Sequence, residues 1–69
     1  MKYYPINEDA ARRAKEEARK LSVEHPGILY RVIDKPRKRA CVTGSEWIYR
    51  ERVLEGWHTC CEFRDGRQL

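Results

Sequence analysis

Four cations around a proline form the segment of this sequence with the clearest capacity to recognise a charged partner: Lys35, Arg37, Lys38 and Arg39. The formal net charge is +4, from 15 Lys and Arg residues against 11 Asp and Glu residues. Without these four, the remaining 11 basic residues balance the 11 acidic ones, so the whole excess equals this segment. Clustered cations contact phosphate groups or an acidic protein surface. The alternative interpretation is a solvated turn whose charges discourage pairing with other strands.

Three cysteines and two histidines are the next candidates for chemistry: Cys41, Cys60, Cys61, His25 and His58. Thiolate and imidazole groups bind zinc, and a cysteine beside a histidine base acts as a nucleophile. The cysteine count is odd, and the spacing matches neither a zinc ribbon or knuckle nor a disulfide framework. We therefore predict reduced thiols, no metal site and no cofactor.

Neither the motifs nor the length of the chain indicates an enzyme. The sequence has no phosphate-binding loop, no dinucleotide-binding fingerprint and no paired carboxylates at a catalytic spacing. A chain of 69 residues buries only about 60% of the surface that its unfolded form exposes. A cleft that encloses a substrate would remove core that so small a domain needs. We predict no catalytic residues and no enzymatic activity.

The hydropathy pattern predicts a cytoplasmic protein. The sequence has no run of about 18 apolar residues, which is the length that a membrane-spanning helix needs. Residues 1–9 contain no apolar stretch of signal-peptide length. No contact with a membrane is therefore expected.

The elements that must position these residues begin with a helix, preceded by an extended lead-in over residues 1–6. Asn7 is suited to cap this helix. Small apolar residues then recur at helical spacing, with charged residues on the opposite side: Ala10, Ala14, Ala18 and Leu21. The His-Pro-Gly sequence at 25–27 predicts where the helix ends.

Two strands joined by a hairpin are predicted to follow. Residues 28–33 are rich in β-branched and aromatic residues, and apolar side chains fall on both faces, as in a central strand. Residues 39–43 form the returning strand, with Ala40 and Val42 on one face. The basic segment lies in and beside the turn between these strands.

A second helix is predicted over residues 46–55. Ser45 is suited to cap its first turn, and Gly56 is suited to the left-handed conformation that ends many helices. The competing prediction is a strand over 47–54, which would extend the hairpin instead.

The apolar residues of this second helix do not fall on one side. Trp47 and Leu54 lie close together, with Ile48 within reach, and this side is expected to face the core. Tyr49 and Val53 fall on the other side. The pattern is therefore only partly amphipathic.

Residues 57–64 alternate as in a strand, and four of them are predicted to share the core face: Trp57, Thr59, Cys61 and Phe63. The Asp65-Gly66 pair forms a turn, and residues 65–69 are a short tail. The sequence therefore predicts a single small α+β domain over residues 1–69, in the order α-β-β-α-β. Its helices pack on one antiparallel sheet of about three strands.

The sequence from Tyr3 to Lys15, YYPINEDAARRAK, resembles the opening of several small uncharacterised proteins carried by bacterial phages and conjugative elements. The resemblance implies a setting on a mobile genetic element, where very small proteins frequently inhibit host defence systems, CRISPR effectors among them, or bind nucleic acid. It implies no site residues, because the shared segment is a capped, alanine-rich helix.

Three functional hypotheses follow. The first is a non-enzymatic accessory protein of a mobile element that binds a host protein or a protein–nucleic-acid complex and acts as an anti-defence inhibitor. The second is direct binding of nucleic acid through the basic residues of 35–39. The third is a structural homo-oligomer or interaction module.

Overall fold

The computed structural model describes residues 2–5, 9–35 and 39–69, with side chains described in the last two of these ranges. Along the chain the elements are β1 (Lys2–Pro5), α1 (Ala10–Glu24), β2 (Tyr30–Lys35), β3 (Arg39–Thr43), α2 (Glu46–Leu54), β4 (His58–Arg64) and β5 (Arg67–Gln68). The predicted α+β class and the α-β-β-α-β order of the main elements are confirmed.

One antiparallel sheet carries all the strands, in the order β1-β3-β2-β4-β5. The strand predicted from apolar residues on both faces, β2, lies at its centre. The sheet is wider than the three strands that the sequence predicted, because the lead-in over 1–6 contributes β1 and the tail over 65–69 contributes β5. Both are short edge strands of four and two residues.

The first helix packs its alanine stripe on one face of the sheet. Ala10, Ala14 and Ala18 are buried, and small side chains let the helix lie close to the strands. The residue before the first turn is Asp9, whose side chain makes no capping bond, while the predicted cap, Asn7, lies outside the described residues. The apolar cluster between α1 and the sheet consists of the three alanines together with Val32, Ala40, Val42, Cys61 and Phe63.

The turn between β4 and β5 fastens the end of α1. Asp65 and Gly66 have φ angles of 54° and 79°, the left-handed pair that a two-residue hairpin requires. The Gly66 N–H donates to the Ser22 hydroxyl at 2.9 Å, and the Gly27 N–H donates to the Asp65 carboxylate at 2.9 Å. A Cβ at position 66 would lie 2.8 Å from a Val23 methyl group, so this turn fits closely against the helix.

A bulge in β4 divides that strand between the two faces of the sheet. Val32 pairs with Cys61, but the next residue, Ile33, pairs with Thr59, so Cys60 is an extra residue. An extra residue reverses the alternation of side chains beyond it. The prediction that four residues share one core face, Trp57, Thr59, Cys61 and Phe63, is therefore wrong. Cys61 and Phe63 pack under α1, whereas Trp57 joins Ile33 and Cys41 on the other face.

None of the helices within residues 9–35 and 39–69 is long and apolar enough to cross a membrane.

Candidate interaction surface on the second helix

The described residues of the basic segment lie at one end of the pair of strands β2 and β3. Lys35 is the last residue of β2 and pairs directly with Arg39, the first residue of β3. On its other side Arg39 pairs with Pro5 of β1. Arg37 and Lys38 lie outside the described residues. The structure thus brings Lys35 and Arg39 together.

The three thiols lie in different surroundings. Cys41 is buried in the cluster with Ile33 and Trp57, whereas Cys60 is exposed at the bulge. Burial raises the pKa of Cys41, and partial burial followed by a hydrogen bond with Asp34 raises the pKa of Cys60 to about 11.

Burial likewise raises the pKa of Cys61. A nucleophilic or zinc-binding cysteine needs a thiolate at neutral pH, and higher pKa values work against that form. Among residues 9–35 and 39–69, no three His, Cys, Asp or Glu side chains lie where they could hold a metal ion together.

The second helix follows β3 after Gly44 and Ser45 and is capped as predicted. The Ile48 N–H donates to the Ser45 hydroxyl at 3.3 Å, and the Ser45 N–H donates to the Thr43 hydroxyl at 3.1 Å. Gly44 lies between these residues, and a Cβ there would be 2.8 Å from the Tyr30 ring. The strand alternative over 47–54 is wrong, because Glu46–Leu54 is helical.

Arg31 is the main polar attachment of α2 to the sheet. Its side chain is only 15% exposed, and it donates to Glu46 of α2 and, at 2.9 Å, to Glu62 on the neighbouring strand. Its guanidinium lies 3.9 Å from the centroid of the Tyr49 ring, which is a cation–π contact. The Tyr49 hydroxyl in turn shares a 2.8 Å hydrogen bond with Thr59.

The charges in this network hold each other ionised. Burial lowers the pKa of Arg31, but the hydrogen bonds to Glu46 and Glu62 outweigh that effect, so its pKa is raised. The hydrogen bond from Arg31 lowers the pKa of the Glu46 carboxyl, although that side chain is exposed. These contacts tie α2 to the sheet at defined points.

The apolar contacts beneath α2 are few. Ile33, Cys41 and Trp57 form a small buried cluster, against which Tyr49 packs. The Arg52 guanidinium lies 6.0 Å from the centroid of the Trp57 ring. No residue of α2 itself is fully buried.

The opposite side of α2 exposes its largest apolar residues. Trp47 is 77% exposed and Leu54 is 88% exposed, so the prediction that they face the core is wrong. The physical reason is that Tyr49 and Arg52 occupy the sheet side, where Tyr49 is held by Arg31 and Thr59. Residues seven positions apart share a helix face, so Trp47 and Leu54 turn outwards together.

Two charged residues complete this side of the helix. At about 100° per residue, four positions fall within roughly 100° of arc: Trp47, Arg50, Glu51 and Leu54. All four are exposed, and we call them the outer face of α2. A shallow, mostly apolar depression adjoins the outer face and is lined by Tyr49, Arg50, Val53 and Leu54.

The outer face has the composition of a contact surface. Two large apolar side chains, Trp47 and Leu54, are exposed on one side of one helix, with Arg50 and Glu51 between them, and exposed apolar groups beside charged ones are typical of interaction sites. Trp and Arg are among the residue types enriched at the energetic centres of interfaces. Sequence reasoning missed this site because it assigned the apolar pair to the core. The signal that could have found it is Arg31. A cation on a central strand needs carboxylates as partners, and carboxylates from α2 and β4 would place the polar side of α2 against the sheet.

Comparison with protein-family models, with curated proteins and with solved structures gave no significant match to this chain.

Proposed function

We propose that this chain is a non-enzymatic module that binds a macromolecular partner through the outer face of α2. The observation that carries the proposal is the exposure of Trp47 and Leu54, at 77% and 88%, on a helix whose opposite side is already attached to the sheet. Leaving two such side chains in water forgoes the free energy of burying them, roughly 1.5–3 kcal/mol for a residue such as Leu. A partner that covers them recovers it.

The surroundings of the thiols support a role without catalysis. The pKa values of Cys41, Cys60 and Cys61 are all raised, which disfavours the nucleophilic thiolate.

The setting that we propose is a mobile genetic element, with a host protein or a protein–nucleic-acid complex in the cytoplasm as partner and inhibition of a defence system as the outcome. The N-terminal resemblance supports this setting, and the outer face of α2 supplies the contact surface. The test is phage plating on hosts that carry individual defence systems, with and without the expressed chain.

A double variant separates the surface from the setting. We expect the parent chain to raise phage plating and W47A/L54A to lose this effect. The matched control is L69A, which truncates another exposed apolar residue away from α2. No effect of the parent across the panel would contradict the anti-defence setting. An effect that W47A/L54A retains would contradict the outer face of α2 as the contact surface.

A second candidate function is direct nucleic-acid binding by the basic segment, favoured by the direct pairing of Lys35 with Arg39. Four phosphate contacts predict a slope of about −3.6 in the logarithm of affinity against the logarithm of salt for duplex DNA. The test is a titration of fluorescent DNA and RNA at about 50 and 200 mM salt, the range over which phosphate contacts are visible.

The structure offers a matched control for this titration, because Arg64 and Arg67 are also paired cations on adjacent strands. We expect K35Q/R39Q to weaken binding and R64Q/R67Q to leave it unchanged. Equal losses in both variants would indicate non-specific attraction to a basic protein. Absence of binding at low salt would remove this candidate.

A further inference from the structure

The outer face of α2 is complementary to itself. When two copies of the helix lie antiparallel with Trp47 of one opposite Leu54 of the other, the residue numbers in each opposed pair add up to the same value. Arg50 then lies opposite Glu51 of the second copy. Both apolar residues meet an apolar residue, and both charges meet the opposite charge.

We propose that the chain forms a two-fold symmetric homodimer through antiparallel contact of the outer faces of α2. This rests on the proposed function, since it names a second copy of this chain as a partner of that same surface. In a two-fold interface each contact occurs twice. One register therefore supplies two Trp47–Leu54 contacts and two Arg50–Glu51 ion pairs.

The charges select this arrangement over the parallel one. A parallel pair in register would place Arg50 beside Arg50 and Glu51 beside Glu51, and opposed like charges are destabilising. The antiparallel register also brings Glu46 near Glu55 of the second copy. Each of these carboxylates already pairs with an arginine of its own chain, Glu46 with Arg31 and Glu55 with Arg52.

The charged residues of the face are available for such contacts. Within residues 9–35 and 39–69, the ion pair of Arg50 is a long, exposed one with Glu46, at 3.7 Å, and such pairs contribute little. Glu46 holds Arg31 through its other oxygen, so α2 stays attached if Arg50 turns to a partner. Among the residues that the structure describes, the Glu51 carboxylate has no ion-pair partner.

The small size of the surface argues against a permanent dimer. A nine-residue helix presents a small interface, below the roughly 800 Å² per partner of a standard stable complex. We therefore expect a monomer–dimer equilibrium in the micromolar range rather than a permanent dimer.

Sedimentation velocity on the full chain, from low micromolar to submillimolar concentration, tests the proposal. The expected result is a shift with concentration from 8.3 kDa toward twice that mass. W47A/L54A should stay monomeric throughout, and L69A should behave like the parent. A parent chain that stays monomeric, or a W47A/L54A variant that still dimerises, overturns the proposal.

Charge reversal tests the antiparallel register. R50E and E51R each place like charges opposite one another, so each should weaken the dimer by about tenfold or more. The double variant R50E/E51R restores opposite charges and should recover it. An equimolar mixture of R50E with E51R should also associate, because each variant supplies the charge that the other lacks.

Recovery in the double variant and in the mixture does not follow from a change in helix stability. Circular dichroism confirms that each variant is folded, as expected for exposed positions. A double variant that stays as weak as the single ones overturns the register. Failure here is distinguishable from failure of the proposed function: a monomeric parent whose effect on phage plating needs Trp47 and Leu54 leaves the outer face as a contact surface for a foreign partner.

Discussion

The two faces of the sheet carry helices that are attached in different ways. Under α1, buried alanines meet Val32, Val42 and Phe63 in a continuous apolar cluster. Under α2, three buried residues form a smaller cluster, and the helix is attached chiefly through Arg31, Tyr49 and their partners. Apolar packing scales with the area buried, whereas hydrogen bonds and ion pairs act at defined points.

This difference explains why α2 exposes its large apolar residues on the outer face. On the α1 side, the alanines are buried in the core, Leu21 packs against it, and the one large apolar residue of the helix that is exposed is Val23, at its end. On the α2 side, Arg31 and Tyr49 attach the helix to the sheet through polar contacts, so Trp47 and Leu54 are not needed for packing and remain exposed. The face that contributes least to the core thus presents the best contact surface.

The largest expected effect on stability comes from truncating one aromatic residue on each face of the sheet, Phe63 under α1 and Tyr49 under α2. F63A removes a fully buried ring under α1 and should cost about 3–5 kcal/mol. A chain of this size has roughly that much stability in total, so F63A should be largely unfolded. Y49A should instead release α2 and leave α1 and the sheet folded. The measurements are urea unfolding followed by circular dichroism and hydrogen exchange in each helix. If Y49A unfolded the chain as completely as F63A, the difference between the two faces would be contradicted.

A smaller effect is expected where α1 meets the last turn. S22A removes the fully buried hydroxyl that accepts from the Gly66 N–H, and the loss of this part-buried hydrogen bond should cost about 0.5–1.5 kcal/mol. Because the loss falls on the α1 side, it should lower the stability of the whole domain. The urea midpoint measures it. A loss confined to faster exchange in β5, with no change in midpoint, would show that this turn is not part of the main folding unit.

The corresponding serine on the other face should have a more local effect. S45A removes the cap of α2, which typically costs about 0.5–2 kcal/mol. Hydrogen exchange should accelerate in α2 and stay slow in α1, and S45D, which keeps a capping oxygen, should behave like the parent. Equal acceleration in both helices would mean that α2 does not open on its own.

The smallest expected effect is a response of α2 to acid. Arg31 holds the pKa of Glu46 below its ordinary value of 4.5, so the stabilisation is complete above that value and is lost as the pH falls through the lowered one. In W47F, Trp57 is the single remaining tryptophan and reports on the cluster under α2.

The emission of Trp57 in W47F should shift to the red on acidification, at a pH where the helical circular dichroism signal of α1 still persists. Adding E46Q should abolish that separate step, and adding E55Q, at the residue that follows α2, should leave it. A step that survives E46Q would assign the response to another carboxylate.

The parts of the fold that the sequence predicted are those where one residue type has one geometric use. The alanine spacing identified the buried side of α1, Ser45 identified the start of α2, and residues 39–43 matched β3. The two edge strands were missed because four and two residues are too few to show an alternating pattern.

The candidate site was predicted only in part. Lys35 and Arg39 were expected on one surface and are paired. The outer face of α2 was missed, since Trp47 and Leu54 at a spacing of seven residues are equally compatible with a core and a contact surface. Which applies depends on contacts from distant strands, and Arg31 and Thr59 decide it by holding Tyr49 inward.

The extra residue at Cys60 makes β4 sensitive to length more than to side-chain identity. Residues before the bulge serve the cluster under α2, and residues after it serve the cluster under α1. Replacing the exposed Cys60 changes one surface side chain, whereas deleting it would exchange the sides of every residue before it and carry Trp57 to the wrong core. Natural variants of this chain should therefore tolerate many residues at this position but never its loss.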